Sequence, residues 1–311
     1  MERAAVSPRL LVIAGPTAVG KSSLAMGVAE RTGAEIVSAD SRQVYRGLDV
    51  GTAKPTVEEQ SRVPHHLLDV VDLGARASAG WFRECCEITI TDIKSRERPI
   101  VVAGGSTLYV HALVEGLADL PTVARSLETE LLGQTETPEG RQSLYQELAE
   151  ADPETAATLD PSKTHRLVRF VGVLRQTGRR PSALWAERAQ APLPVDLVVL
   201  DRSRDELYAR IDKRVVDMIE AGLLEETARA LAASPAARGT LEATIGYREL
   251  LPVLEGTREL DEAVRLIQRN TRRYAKRQLT WYRRYPDAIW LDARTATVET
   301  VLEAVAPWPK S

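Results

Sequence analysis

Residues 10–30 read LLVIAGPTAVGKSSLAMGVAE. An apolar run of strand length leads into GPTAVGKS, residues 15–22, and a stretch of helical character follows. Gly15, Gly20, Lys21 and Ser22 satisfy G-x-x-x-x-G-K-[ST], and the strand, loop and helix context turns that string into a physical site. Across Gly15, Pro16, Thr17, Ala18, Val19 and Gly20 the backbone can curl so that its N–H groups point into one concavity. The following helix presents its positive end there, Lys21 adds a full charge, and the Ser22 hydroxyl can ligate a magnesium ion. The expected ligand is a diphosphate or triphosphate held with Mg2+. The motif names a ligand class and leaves the reaction open.

Outward from this stretch, short apolar runs bounded by turn residues recur at LLVIAG, EIVSAD, HLLDV, IVVAGG, DLVVLD and AIWLDA, with helical patterns between most of them. That alternation predicts an α/β fold, a P-loop NTPase-like parallel sheet flanked by helices. Between about Gly116 and Pro194 the strand signals stop. Leu127 with Leu131, Leu144 with Leu148, and Leu167 with Phe170, Val171 and Leu174 fall at helical spacings instead. An all-helical insertion domain, 117–194, is therefore expected within a core made of 1–116 and 195–311. A chain of 311 residues, 44% of them hydrophobic, is long enough for both.

Composition excludes several classes. No apolar run approaches membrane-spanning length and the start MERAAVSPRLL lacks the build of a leader, so a cytoplasmic protein is expected, with no membrane partner. Cys85 and Cys86 are the only cysteines; adjacent in sequence, they supply neither a disulfide framework nor a four-ligand zinc site.

The net charge of −3 argues against nucleic acid, but its distribution argues for it. No acidic residue lies between Glu262 and Asp287, whereas Arg265, Arg269, Arg272, Arg273, Lys276, Arg277, Arg283 and Arg284 all do. On a helix, Arg265, Arg269, Arg272 and Lys276 share one face. Tyr274, Trp281, Tyr282 and Tyr285 lie among the charges, where they could stack on bases. The competing reading is a solvated helix face, although such faces normally mix both signs.

P-loop hydrolases usually carry an aspartate at the end of a later strand to hold magnesium. Here IVVAGG ends in glycines, and Asp40 ends the second strand instead, where the C-terminal edge of an open α/β sheet points it into the P-loop crevice. A carboxylate there can hold magnesium through water, accept a proton from a nucleophile, or merely cap a following helix.

GPTAVGKS, SADSRQVYRGLDVGTAKP (38–55), VAGGSTLY (102–109), the stretch from LYARIDKRV to EAGLLEE, IGYREL and TRRYAKRQLTWYRR together resemble the bacterial tRNA dimethylallyltransferases, in order and over nearly the whole chain. The resemblance implies that the P-loop grips dimethylallyl diphosphate, and that the five-carbon group passes to the exocyclic amine (N6) of the adenosine 3′ of the anticodon in tRNA. It implies that Arg214 clamps the diphosphate, that Asp40 takes the amine's proton, and that Thr17 contacts the reacting groups. Ser41, Arg42 and Gln43 fall in the segment that reads the flipped-out base. The tRNA-contact segments correspond to Ser106, to His165, Arg166, Leu167, Val168 and Arg169, to Ala243, Thr244, Ile245, Gly246, Tyr247 and Arg248, and to Lys276, Arg277, Gln278, Trp281 and Arg283. A monomer is expected. Arg166 and Arg169, opposite part of the apolar face, are expected to be free to meet phosphate.

The chain departs from the family pattern in three places. Ser106 stands where threonine is usual and keeps the hydroxyl. The segment after Pro121 is shortened, so the basic residue expected early in the insertion is either Arg125 or without a counterpart. Gly172 stands where an acid is frequent. Two other readings remain compatible with part of the sequence. A transferase acting on free AMP, or a small-molecule kinase, would need the P-loop and Asp40 but not the basic helix. An RNA-binding module with a vestigial P-loop would need the reverse.

Overall fold

A computed structural model describes residues 10–117, 120–160, 162–188 and 191–305; the first nine residues, part of the start read above for a leader, lie outside them. The chain divides into two compact units. One runs to Val114 and resumes at Leu193; the other is Glu115–Pro192.

The first unit begins with β1 (Leu10–Ala14), α1 (Lys21–Thr32), β2 (Glu35–Ser38), α2 (Val57–Arg62), β3 (His65–His66), α3 (Ala79–Ser95), β4 (Ile100–Gly104) and α4 (Thr107–Val114). The second holds α5 (Arg125–Gln134), α6 (Pro138–Ala151), α7 (Pro153–Ala157), α8 (Thr164–Thr177) and α9 (Pro181–Arg188). The first then resumes with β5 (Val195–Asp201), α10 (Arg204–Glu220), α11 (Leu223–Ala233), α12 (Ala237–Glu242), α13 (Tyr247–Leu254), α14 (Leu260–Tyr282), β6 (Ile289–Asp292) and α15 (Val298–Ala304).

The strands form one parallel sheet in the order β3-β2-β4-β1-β5-β6. Its central strands bury both faces, and successive side chains alternate between two cores. Leu10 and Val12 of β1 join Ile100, Val102, Leu197 and Val199 on one side; Leu11 and Ile13 join Val101, Val198 and Leu200 on the other. This explains why the strands read as unbroken apolar runs.

The run HLLDV is an exception to the strand expectation. Its ladder is confined to His65–His66, because Leu67 and Asp69 adopt positive φ of 61° and 54° and turn the chain away from the sheet. Asp40 caps no helix: turns follow it.

Two glycines let the strand ends converge. A Cβ on Gly15 would lie 2.6 Å from the Leu200 carbonyl oxygen, and one on Gly104 would lie 2.1 Å from that of Ala39. With side chains there, β1 and β5, or β4 and β2, could not bring their C-terminal ends this close. Cys85 and Cys86 are both free thiols, and burial pushes the Cys86 thiol up to about 12. Among the described residues no helix is long and apolar enough to cross a membrane.

The helical unit closes on its own core of Leu131, Leu144, Leu148, Leu167, Phe170 and Val171. Gly172 fits this packing: a Cβ would sit 2.8 Å from a Val123 methyl, so an acid has no room without displacing α8. Asp152, 1% exposed, ties three segments, accepting from the Thr155 N–H (3.1 Å), the Thr155 hydroxyl (2.6 Å) and the Ser182 N–H (2.8 Å). Burial raises its pKa, but the hydrogen bonds from Ser182 and Thr155 outweigh that and leave it below the usual carboxylate range. A depressed folded pKa stabilises above the unfolded value of about 3.9 and is lost as pH falls through the folded one. Asp152→Ala should cost about 2 kcal/mol at neutral pH. The gap from wild type, measured by chemical denaturation, should close as pH falls below about 4.

Candidate active site

The C-terminal ends of β2, β4 and β1, adjacent in the sheet, carry Asp40, the Gly104–Ser106 turn and the P-loop respectively. They open into a cavity of about 720 Å³ within the first unit, lined also by α10 and α14. A second hollow of about 300 Å³ lies beside the P-loop, between it and Arg210, Lys213 and Arg214 of α10.

The phosphate cradle is preformed. Gly20 caps α1 in a left-handed conformation at φ 116°, and Ala18 also has positive φ, 63°. The Lys21 ammonium donates to the Pro16 carbonyl at 2.7 Å. Desolvation pulls its pKa down to about 7; the Asp40 carboxylate opposes that fall and Arg214 adds to it. Arg214 is half-buried, and its side chain forms no hydrogen bond or ion pair with any described residue. Burial lowers its pKa too, with Asp40 opposing and Arg210 adding. Arg210 instead braces the loop through the Ala18 carbonyl at 2.8 Å. A desolvated cation without a partner, next to a nest of amides and a second desolvated cation, is a site short of negative charge.

Asp40 lines the same cavity as Lys21, Ser22 and Arg214. Its Oδ1 accepts from the Arg42 N–H at 2.8 Å, and its other oxygen has no hydrogen-bond partner among the described residues. The loop after it is held independently. Ser41 N–H donates to the Ser106 hydroxyl at 2.7 Å; Gln43 accepts from the Ser38 hydroxyl at 3.0 Å and donates to the Thr52 and Ala53 carbonyls at 3.2 and 3.1 Å. Further along, the Glu226 carboxylate accepts from the N–H groups of Asp49, Val50 and Gly51 at 2.8, 2.9 and 3.0 Å, and from the Tyr247 hydroxyl at 2.7 Å. A buried carboxylate thus pins the 49–53 turn to the start of α13. Sequence reading missed Glu226, since an acid in an amphipathic helix gives no sign of which backbone it faces.

The other candidates sort by where their side chains go. Arg42, Arg248 and Arg277 line the cavity with Ala243, Thr244, Ile245 and Gly246, and Lys276 and Arg283 are exposed on and just after α14. Arg125, His165 and Arg166 are exposed on the helical unit, Arg166 lying 5.6 Å from the Phe170 ring centroid. Leu167, Val168 and Tyr247 are buried, so their side chains face inward. Arg169 corrects the expectation of a free guanidinium, because it donates to the Leu120 carbonyl at 2.6 Å. In the basic stripe, Arg272 is paired with Asp212 of α10, while Arg265, Arg269 and Lys276 are exposed. Trp281 is packed rather than free: its indole N–H donates to the Tyr285 hydroxyl at 3.2 Å and Arg284 lies 4.4 Å over its ring. Gln278 is 2% exposed and bonded to protein at both ends of its carboxamide.

An apolar wall adjoins this charged floor. Ile211, Val215 and Met218 follow one face of α10 beside Arg214 and meet Ile245 and Ile267 in the cavity lining. Their spacing of four and three was visible in the sequence, but nothing there distinguished a ligand-facing stripe from core.

Residues 43–285 match the model of a family described as IPP transferase. The chain belongs to the IPP transferase family. Members similar to it include a tRNA dimethylallyltransferase of Salinibacter ruber, 43% identical over 96% of this chain and 92% of that protein. Another is tRNA dimethylallyltransferase 1 of Syntrophotalea carbinolica, 46% identical over 92% and 91%. Among solved structures, a tRNA isopentenylpyrophosphate transferase of Bacillus halodurans superposes with a TM-score of 0.68 at 35% identity, covering 96% of this chain and 95% of that one. A eukaryotic dimethylallyltransferase acting on tRNA gives 0.76 at 29% identity, over 92% and 74%. In this chain the fourth strand, β4, ends in glycine where P-loop hydrolases usually carry a metal-binding acid.

Proposed function

We propose that this enzyme transfers the dimethylallyl group of dimethylallyl diphosphate to the N6 amine of the adenosine 3′ of the anticodon in tRNA, releasing diphosphate. One observation carries the reading within the family: a single cavity holds an electron-poor phosphate cradle, an apolar wall and a carboxylate oxygen without a partner. A prenyl donor carries a five-carbon apolar chain directly on its diphosphate, and this wall begins beside Arg214 of the cradle.

The diphosphate lies on the P-loop amides between Lys21 and Arg214, and the prenyl tail runs along Ile211, Val215 and Met218. As the allylic C–O bond breaks, its electron pair goes to the diphosphate, where both cations stand ready without reorganising. The adenine amine, a weak nucleophile, forms the new C–N bond because it is held in line; the base leaves its stack and enters the cavity beside Ser41 and the 51–53 turn. The displaced proton passes to Asp40. Thr17, at the mouth of the loop, stands where donor and amine meet.

Magnesium fits this site as a substrate-borne ion. Among the described residues no cluster of three or more His, Cys, Asp or Glu exists, yet the Ser22 hydroxyl lines the cavity beside Lys21 and would hold a cation that completes its shell with water and diphosphate oxygens. Once bound, it neutralises charge on the leaving diphosphate.

RNA phosphates meet Arg248, Lys276, Arg277 and Arg283 on the core, and Arg125, His165 and Arg166 on the insertion. The enzyme works as a monomer in the cytoplasm. Incubating an anticodon stem-loop with enzyme, magnesium and dimethylallyl diphosphate should add one five-carbon unit to the adenine, read by mass spectrometry of the digested RNA. Product with free AMP but none with the stem-loop would replace the RNA substrate by a nucleotide.

A further inference from the structure

Gln278 lies within a segment that the family resemblance assigns to RNA, yet its side chain is spent elsewhere. It is 2% exposed. Its Oε1 accepts the Thr17 N–H at 2.9 Å and its Nε2 donates to the Gly105 carbonyl at 2.7 Å. One carboxamide from α14 therefore joins the phosphate loop to the turn after β4.

The fit is close on every side. A Cβ on Gly105 would stand 2.6 Å from Gln278 Nε2, 3.3 Å from the Gly15 carbonyl oxygen and 3.5 Å from Lys21 Nζ. Only a glycine lets that carbonyl reach the amide, and only a side chain with both a donor and an acceptor spans the gap. The neighbouring Lys276 and Arg277 are exposed, Arg277 also lining the cavity, so one turn of α14 carries both accessible charge and the brace to the diphosphate site.

We infer that Gln278 is a positioning residue, the strut by which α14 sets the mouth of the P-loop against the Gly105 turn. Thr17 and Lys21 are thereby held for the leaving diphosphate, and the helix that carries the basic face is mechanically tied to the cradle. Gln278 lines the cavity, but both polar ends of its carboxamide are engaged by protein, so the brace acts through the P-loop. Its effect on transfer rests on the function proposed above; its effect on diphosphate affinity does not.

The test compares wild type with Gln278→Met, which keeps length and volume but forms neither bond, in the full-length protein. Three quantities are read: affinity for inorganic pyrophosphate with magnesium by calorimetry, affinity for the anticodon stem-loop, and the single-turnover transfer rate at saturating stem-loop. The variant should bind pyrophosphate about tenfold more weakly and transfer on the order of a hundredfold more slowly, with stem-loop affinity within about twofold of wild type. Weakened stem-loop binding with pyrophosphate affinity and saturated rate intact would make Gln278 an RNA contact and overturn the inference; so would three unchanged quantities. If Gln278→Met fails to fold, Gly105→Ala presses on the same strut from the other side and should weaken pyrophosphate binding while sparing the stem-loop. If wild type itself makes no product, the transferase reading falls, and the pyrophosphate measurement still decides the role of Gln278.

Discussion

Replacing Asp40 with alanine is expected to leave stem-loop affinity within about twofold of wild type and to slow single-turnover transfer by at least about a hundredfold. The loop can survive the change. Asp40 contributes one bond to it, from the Arg42 N–H, whereas Ser106, Ser38 and the Gln43 carboxamide hold Ser41 to Ala53 independently. Alanine removes both oxygens, and with them the carboxylate that lines the cavity. Asp40→Asn separates geometry from proton acceptance, since it keeps an acceptor for Arg42 and offers no base. Both variants should fail at the chemical step alike. An asparagine variant with wild-type single-turnover rate would remove Asp40 as the proton acceptor and leave it a turn-former.

Sheet and cradle were legible because both are written in residue types whose physics is local. Glycine at 15 and 20 admits backbone that other residues resist, and strands buried on both faces show as apolar runs whatever their neighbours. The HLLDV run misled for the complementary reason: apolar content does not report the left-handed turns at Leu67 and Asp69 that end the ladder. Polar side chains were harder to place. Periodicity grouped Arg265, Arg269, Arg272 and Lys276 on one face, but only the fold brings Asp212 to Arg272 and the Leu120 carbonyl to Arg169. Gln278 is the sharpest case, since a carboxamide amid eight arginines and lysines reads as part of the RNA surface until Thr17 and Gly105, over 170 residues away in sequence, are brought to it.

Arg214→Leu should separate stability from function in opposite directions. In the free enzyme the guanidinium is desolvated without a partner, so leucine in its place, beside Ile211 and Val215, should leave the thermal midpoint unchanged or raise it. Diphosphate supplies the missing charge, and it does so most in the transition state, when the allylic C–O bond has given its electrons to oxygen. Loss of one such preorganised donor typically costs about a hundred- to a thousandfold in rate, and that is the expected fall in single-turnover transfer. The thermal shift produced by pyrophosphate should shrink with it, because ligand stabilisation follows affinity for the folded state. Lys21→Met should cost a similar factor, and the double variant less than the product of the two, since both cations act on one leaving group. A leucine variant that melts earlier than wild type yet keeps the full pyrophosphate shift would show Arg214 to be a structural residue, and the clamp would then fall to Lys21 and the loop amides alone.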